Sequence, residues 1–166
     1  MPCLLYHVKI VLETYKTLIQ GVFDYDTQNH NSTFKKLENF NTFEEYENAN
    51  RDSMISKNLS EYLTDLLNER NLTKAEVIRK AELSDGYAYQ IFSGLKTAPK
   101  RDKLICLSVG MGLSVNETNS VLKIAGLSPL YPKIKRDSII IINMNNNKSV
   151  VEINEALYNE GEDTLN

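Results

Sequence analysis

Residues 73–94 of this 166-residue chain read TKAEVIRKAELSDGYAYQIFSG, and the order of polar and apolar positions in them decides the fold. Thr73 and Glu76 have the spacing of a capping box. In such a box the threonine hydroxyl accepts from the backbone of the glutamate, and the glutamate side chain reaches back to the threonine amide. The box predicts a short helix over residues 74–81.

The second half of this stretch predicts another helix after a tight turn. Glu82 and Leu83 form the turn, Ser84 is a suitable N-cap, and Gly94 supplies a helix stop. The second helix therefore covers residues 84–93. Two short helices joined by such a turn are typical of a helix-turn-helix motif.

A further helix is predicted before the motif. Ser60 is the candidate N-cap, and apolar residues recur on one face of the segment EYLTDLLNERN that follows it. The residues expected to point inward are Leu59, Tyr62, Leu63, Leu66 and Leu67.

An internal repeat follows the motif. Residues 101–130, RDKLICLSVGMGLSVNETNSVLKIAGLSPL, align without a gap with residues 136–165, RDSIIIINMNNNKSVVEINEALYNEGEDTL, and ten of the 30 positions are identical. The shared residues begin and end helices: Asp102 and Asp137 start a first helix, Ser114 with Glu117 and Ser149 with Glu152 are capping boxes of a second, and Gly126 and Gly161 end it. Each unit is thus predicted to be a two-helix hairpin with one apolar side, and two such hairpins can stack to bury what neither buries alone.

The first third of the chain has a different pattern. Apolar residues in 4–22 recur at spacings of four and three, which predicts an amphipathic helix that packs on its own chain, on a second copy or on a membrane surface. The dimerisation candidates on this stripe are Leu4, Val8, Val11, Tyr15, Leu18 and Val22. Residues 24–57 are polar and rich in asparagine, and they predict a linker that contains a short helix.

Composition argues against several classes of function. Two cysteines far apart in the chain and two histidines without partners at ligand spacing favour neither a disulfide framework nor a metal site. A phosphate-binding glycine loop and a serine–histidine–aspartate set are both missing, so neither an enzyme nor a cofactor is expected. Without a basic signal-peptide region or an apolar run of membrane-spanning length, the expectation is a cytoplasmic protein without membrane contact.

Charge is distributed unevenly along the chain. The formal net charge is −3, but 13 basic and 8 acidic residues give residues 57–136 a charge of +5. Residues 1–56 carry −3 and residues 137–166 carry −5. A positive middle between acidic ends is compatible with contacts to phosphate, because the local field steers association.

Residues 59–114 resemble the lambda-repressor/Cro-like helix-turn-helix domains, often called XRE-like regulators. The resemblance rests on the string LTKAEVIRKAELSDGYAYQIFSGLKTAPKRDKLICLSVGMGLS, which has a short helix, a Leu-Ser turn, a helix ending in glycine, a basic loop with a proline, and another helix. It implies that helix 74–81 lies over the DNA backbone and that helix 84–93 enters the major groove.

The resemblance also implies a role for individual residues. Its core positions are Val77, Ala81, Leu83, Ala88 and Ile91. Its base-contacting positions are Asp85, Gly86, Tyr89 and Gln90, since glutamine pairs with adenine and tyrosine can touch a thymine methyl group. Its phosphate-contacting positions are Lys74, Ser84, Lys96, Lys100, Arg101 and Lys103, which would make binding depend on salt.

Three residues depart from the family pattern. Ile78 stands where the family favours alanine, so a wider helix crossing is expected. Glu82 replaces the usual glycine of the turn, which requires either a positive φ at a non-glycine residue or a different turn. Asp85 can accept from cytosine or favour the helix dipole, but it repels phosphate.

The predicted architecture is all-α, with an N-terminal amphipathic helix (1–23), a polar linker with a short helix (24–57), a helix-turn-helix domain (58–100) and two helical hairpins that complete it (101–166). The expected function is a sequence-specific transcriptional regulator that binds double-stranded DNA as a homodimer, because one small domain reads few base pairs. The alternative is a protein-interaction adaptor or inhibitor, for example one encoded on a mobile element, in which the motif is a scaffold and the partner is a protein.

Overall fold

In a computed structural model of the chain, the structure describes residues 37–51 and 57–165, and all regular secondary structure in these ranges is helical. The predicted helix over residues 4–22, with all six dimerisation candidates, lies outside the described residues. The two described ranges belong to two separate compact units, Met1–Met54 and Ile55–Asn166.

The first unit contributes one short helix, α1, Phe43–Asn50. Its N-cap is Thr42, whose hydroxyl accepts from the amide of Glu45 at 3.3 Å. None of the residues of α1 is buried. The helix lies in the polar segment for which a linker with a short helix is predicted.

The second unit has seven helices within residues 57–165. They are α2 (Leu59–Glu69), α3 (Lys74–Lys80), α4 (Asp85–Phe92), α5 (Arg101–Gly110), α6 (Val115–Ile124), α7 (Lys135–Asn145) and α8 (Val150–Asn159). The all-α prediction is confirmed for the described residues. One hydrophobic core contains side chains from the two motif helices and from both hairpins, α5–α6 and α7–α8.

Capping boxes begin four of these helices. The boxes at Thr73–Glu76, Ser114–Glu117 and Ser149–Glu152 are those that the sequence predicts. The predicted N-cap of α2 was wrong, because Asn58 caps that helix together with Glu61 and Ser60 lies inside its first turn. Asparagine competes well with serine as an N-cap, and here only Asn58 has a glutamate three residues later.

Hydrogen-bond donors favour the ionised form of two of the capping carboxylates, Glu117 and Glu152. The Lys148 ammonium and the Ser149 backbone and hydroxyl donors lower the pKa of Glu152 to about 2. Partial burial acts to raise the pKa of Glu117, but the donors of Ser114 and the Arg70 guanidinium outweigh it and the pKa is lowered. Arg70 at the end of α2 thereby links that helix to the start of α6.

α5 lies at the centre of the second unit. Its consecutive residues 104–108 are all buried, and a helix buried on every side needs neighbours on every side. The helices α3, α6 and α8 all contact it. Burial raises the pKa of the Cys106 thiol on α5 to about 11, so this thiol stays protonated at neutral pH.

α3 approaches α5 most closely at Gly110. A Cβ atom placed on Gly110 would lie 2.7 Å from the carbonyl oxygen of Val77 and 3.0 Å from the amide nitrogen of Ala81. Ile78 on α3 is buried, and the residues of α3 that lie next to Gly110 are Val77 and Ala81.

Two reciprocal ion pairs join the hairpins. The Arg101 guanidinium donates to both carboxylate oxygens of Asp137, at 3.0 and 2.8 Å. The Arg136 guanidinium donates to both carboxylate oxygens of Asp102, at 3.0 and 3.1 Å. Asp102 and Asp137 follow Arg101 and Arg136 at equivalent positions of the two repeats. Each arginine thus binds the aspartate of the other repeat.

The contacts within one hairpin are also repeated at equivalent positions in the other. Each arginine also donates to two backbone carbonyls at the end of its own repeat, and each repeat has an asparagine that accepts from the amide of its last leucine. The pairs are Arg101 with Ser128 and Pro129, Arg136 with Asp163 and Thr164, Asn119 with Leu130, and Asn154 with Leu165. Reciprocal contacts of this kind are those of an isologous interface, so the two hairpins are related by a local two-fold axis.

We expect Gly110→Ala to destabilise the protein by roughly 1–3 kcal/mol, since the added methyl group meets backbone atoms that cannot turn aside. Gly86→Ala is the matched control. A Cβ atom on Gly86 meets nothing within 4 Å, so this change should stabilise helix α4 by about 0.5–1 kcal/mol. Urea unfolding of both variants measures the difference, and equal effects would contradict the close approach at Gly110.

The two equivalent aspartates should differ in their contribution to stability. The Asp137 side chain is 4% exposed and that of Asp102 is 35% exposed. Asp137→Asn changes an almost fully buried carboxylate that also accepts from the Tyr131 amide and should cost about 3 kcal/mol, whereas Asp102→Asn should cost about 1 kcal/mol. Urea midpoints of the two variants test this order, and the reverse order would show that burial does not set the strength of these pairs.

Candidate nucleic-acid interface

The motif helices α3 and α4 are joined by a turn that depends on Glu82. Glu82 has φ of 54°, so of the two predicted alternatives the turn uses a positive φ at a non-glycine residue. α3 ends at Lys80, one residue earlier than predicted, and α4 begins at Asp85, one residue later. Ser84 is the N-cap of α4, but its side chain makes no capping hydrogen bond.

The core positions implied by the resemblance are inside the protein. Val77, Ala81, Ala88 and Ile91 are buried, and Leu83 is partly buried against the same core. Phe92, at the end of α4, is also buried and was not among the predicted core positions. These contacts fix which side of α4 faces solvent.

The four residues predicted to contact bases share that outer side of α4. Asp85, Gly86, Tyr89 and Gln90 are all exposed, and a spacing of one, three and one residues places them on one helix face. Tyr89 is 46% exposed. The face therefore offers a carboxylate, a phenol and an amide to a partner, with open space over Gly86.

Aromatic rings of α4 hold two of the predicted phosphate contacts. The Lys74 ammonium lies 5.6 Å from the centre of the Phe92 ring, and the Lys96 ammonium lies 5.5 Å from the centre of the Tyr87 ring. Cations at this distance are attracted to the ring face. Lysines from the start of α3 and from the loop after α4 are thus both held against α4.

Tyr87 also holds the far end of the loop that follows α4. Its hydroxyl accepts from the backbone amide of Lys100 at 3.1 Å. At the near end the amide of Lys96 donates to the carbonyl of Gln90 at 2.9 Å. The loop therefore has a defined path, and the exposed Lys100 side chain lies at its end.

The side chains of two other predicted phosphate contacts, Arg101 and Lys103, are bound within the two hairpins. Arg101 is bound by Asp137 and by the carbonyls of Ser128 and Pro129. The Lys103 ammonium lies 3.5 Å from the carbonyl oxygen of Leu165. The structure does not bring these two cations together with Lys96 and Lys100 on the surface of α4. The repeated Arg-Asp dipeptide was the signal in the sequence for the role of Arg101.

Two exposed carboxylates border the same surface. Glu82 lies in the turn before α4 and Asp85 in its first turn. A negative charge at a helix start is favourable because it meets the positive end of the helix dipole. The surface around α4 thus combines cations at its flanks with acids near its beginning.

Leu95 differs from the other leucines that follow a helix end. Leu72, Leu83, Leu113 and Leu127 each follow a residue with positive φ and donate to the carbonyl five residues back, at 2.8–3.4 Å. All four pack on the core or are buried in it. After Gly94, in contrast, the backbone bond comes from Lys96, one residue later, and Leu95 is 79% exposed.

Comparisons with protein-family models, with curated proteins and with solved structures found no match to this chain. Among residues 37–51 and 57–165, no helix is long and apolar enough to cross a membrane. In the same ranges no three side chains of the metal-binding types lie together as ligands.

Tyr87→Phe tests the path of the loop after α4. The change removes the acceptor of the Lys100 amide and keeps the ring under Lys96, so we expect faster exchange of the Lys100 amide hydrogen and a stability loss of up to about 1 kcal/mol. Tyr89→Phe is the control, since the solvent-facing ring of Tyr89 lies on the outer side of α4. Equal exchange rates in the two variants would contradict the role of the Tyr87 hydroxyl.

Proposed function

We propose that this chain is a sequence-specific transcriptional regulator that binds double-stranded DNA with α4 in the major groove. The observation that carries the proposal is the outer face of α4, which offers Asp85, Tyr89 and Gln90 between two lysines held on the aromatic rings of the same helix. Hydrogen-bonding groups flanked by fixed cations suit base edges flanked by phosphates.

The length of α4 supports this geometry. Eight residues at about 1.5 Å per residue give roughly 12 Å, close to the width of the major groove. The residues of its outer face can therefore approach bases over its whole length. Gln90 has the donor and acceptor needed to pair with adenine, and Asp85 can accept from the amino group of cytosine.

The phosphate contacts in this proposal are Lys74, Lys96, Lys100 and the hydroxyl of Ser84. The aromatic rings restrict the two stacked lysines before DNA arrives, so less side-chain entropy is lost on binding. Arg101 and Lys103 are left out, because their side chains already have partners in the two hairpins.

The proposed regulator acts in the cytoplasm as a homodimer. The apolar sides of the two hairpins cover each other within one chain, so they need no second copy. The dimer contact is therefore assigned to the apolar stripe of residues 4–22, which lies outside the described residues. Two copies of α4 would then bind half-sites about one helical turn, 34–36 Å, apart.

A protein-binding adaptor is the second candidate. The exposed carboxylates of Glu82 and Asp85 favour it, because both would lie near phosphate in a DNA complex. In that case the surface of α4 would bind a basic protein partner, with the motif as its scaffold. The experiment below separates the two candidates.

The test selects DNA from a pool of random duplexes about 30 base pairs long, enough for two half-sites. The full chain should enrich one sequence and bind it with an affinity that falls steeply as salt rises. Lys96→Glu combined with Lys100→Glu should weaken this binding strongly and reduce its salt dependence, since each phosphate contact contributes about 0.9 to the slope of log K against log salt.

A matched pair of charge reversals controls for net charge. Lys123→Glu combined with Lys133→Glu changes two exposed lysines away from α4 by the same total charge. This variant should keep its sequence preference and most of its affinity. If both double variants weaken binding equally, the interaction is non-specific. If the wild type enriches no sequence at about 0.1 M salt, the DNA-binding proposal is wrong and the adaptor is favoured.

A further inference from the structure

We propose that Leu95 contacts the C5-methyl group of a thymine, so that the DNA recognised by α4 carries an A·T base pair under the end of this helix. The inference rests on the proposed DNA-binding function and names a chemical feature of the DNA. It assigns a specificity-determining role to a residue of the loop after α4.

The conformation of the chain after α4 is the first observation. The residues at equivalent places after α2, α3, α5, α6, α7 and α8 donate to the carbonyl five residues back. After α4 the bond spans six residues instead, from Lys96 to Gln90, so that Leu95 is looped out of the usual helix ending. The conformation removes Leu95 from the core that receives the other four leucines of this kind.

The surroundings of Leu95 are the second observation. It lies three residues after the end of α4, and its neighbour Lys96 is held on the Tyr87 ring, so the loop cannot easily turn Leu95 back to the core. Tyr89 on the outer face of α4 is the other large apolar side chain exposed in this part of the motif. An apolar group fixed next to cations suits a partner that has both phosphate and apolar groups.

Thymine methyl groups are the apolar feature of the major groove. Leu95 is 79% exposed, so most of its side chain has no contact within the described residues. Covering it with a methyl group removes apolar surface from water on both partners. Because α4 is about as long as the groove is wide, a residue shortly after its end lies at the edge of the groove, beside the phosphates assigned to Lys96 and Lys100.

The experiment uses the sequence enriched from the random duplex pool, with each thymine replaced in turn by uracil, which lacks only the C5-methyl group. Binding of wild type and Leu95→Ala is measured on every duplex by fluorescence anisotropy. At one thymine, or one symmetric pair, uracil should weaken the wild type about fourfold, the factor for one buried methyl-sized group. Replacing the same thymine by uracil should not change the affinity of the Leu95→Ala variant.

Tyr158→Ala is the matched control, because Tyr158 is 77% exposed on α8. It should respond to uracil as the wild type does. Leu95→Ala should keep the melting temperature of the wild type, since Leu95 has left the core. If uracil weakens both the wild type and Leu95→Ala equally, or weakens neither, the thymine contact is wrong while DNA binding stands. If the wild type enriches no sequence at all, the proposed function fails and this inference fails with it.

Discussion

The structure of the second unit depends on the burial of α5. Its apolar residues extend around the helix, so the motif has to cover one side and the second hairpin another. α3 can pack this closely on α5 only because Gly110 has no side chain. The orientation of the second hairpin is set by the paired arginines and aspartates. These contacts fix α3, and α4 packs on both α3 and α2, so that its outer face is the side left exposed. Removing either cover would expose buried apolar residues of α5 to water.

Much of this fold was predictable from sequence because its signals are local. A capping box spans four residues and a left-handed glycine acts within one turn, so the starts at Thr73, Ser114 and Ser149 needed no knowledge of neighbours. The ion pair of Arg101 with Asp137 spans 36 residues and exists only because packing brings two helix starts together. In the sequence, Arg101 is only a basic residue after a loop, and such a residue is expected to contact phosphate because its partner in packing is not visible. The duplicated Arg-Asp dipeptide was visible, but its crossed pairing follows from the local two-fold axis and not from the repeat alone.

The outer face of α4 was predictable from helix periodicity, since the buried positions leave one side for Asp85, Tyr89 and Gln90. The stacking of Lys74 on Phe92 was not, because it joins two helices whose crossing depends on α5. Leu95 was also missed, since a leucine after a glycine normally packs back on its helix. Only the backbone bond from Lys96 to Gln90 distinguishes this helix end from the others.

The close approach at Gly110 also limits how many helix-turn-helix motifs the two hairpins can carry. By the local two-fold axis, the side of α5 that carries α3 has a counterpart on α7, where Asn145 stands in place of Gly110. The Asn145 side chain would meet the backbone of any helix placed as α3 is, so the second hairpin cannot accept another motif in the same manner. Within residues 57–165 the duplication therefore added a second supporting hairpin without a second place for a helix-turn-helix motif. Residues 57–165 therefore contain one such motif, and in the proposed regulator a two-fold symmetric DNA site is matched by two chains.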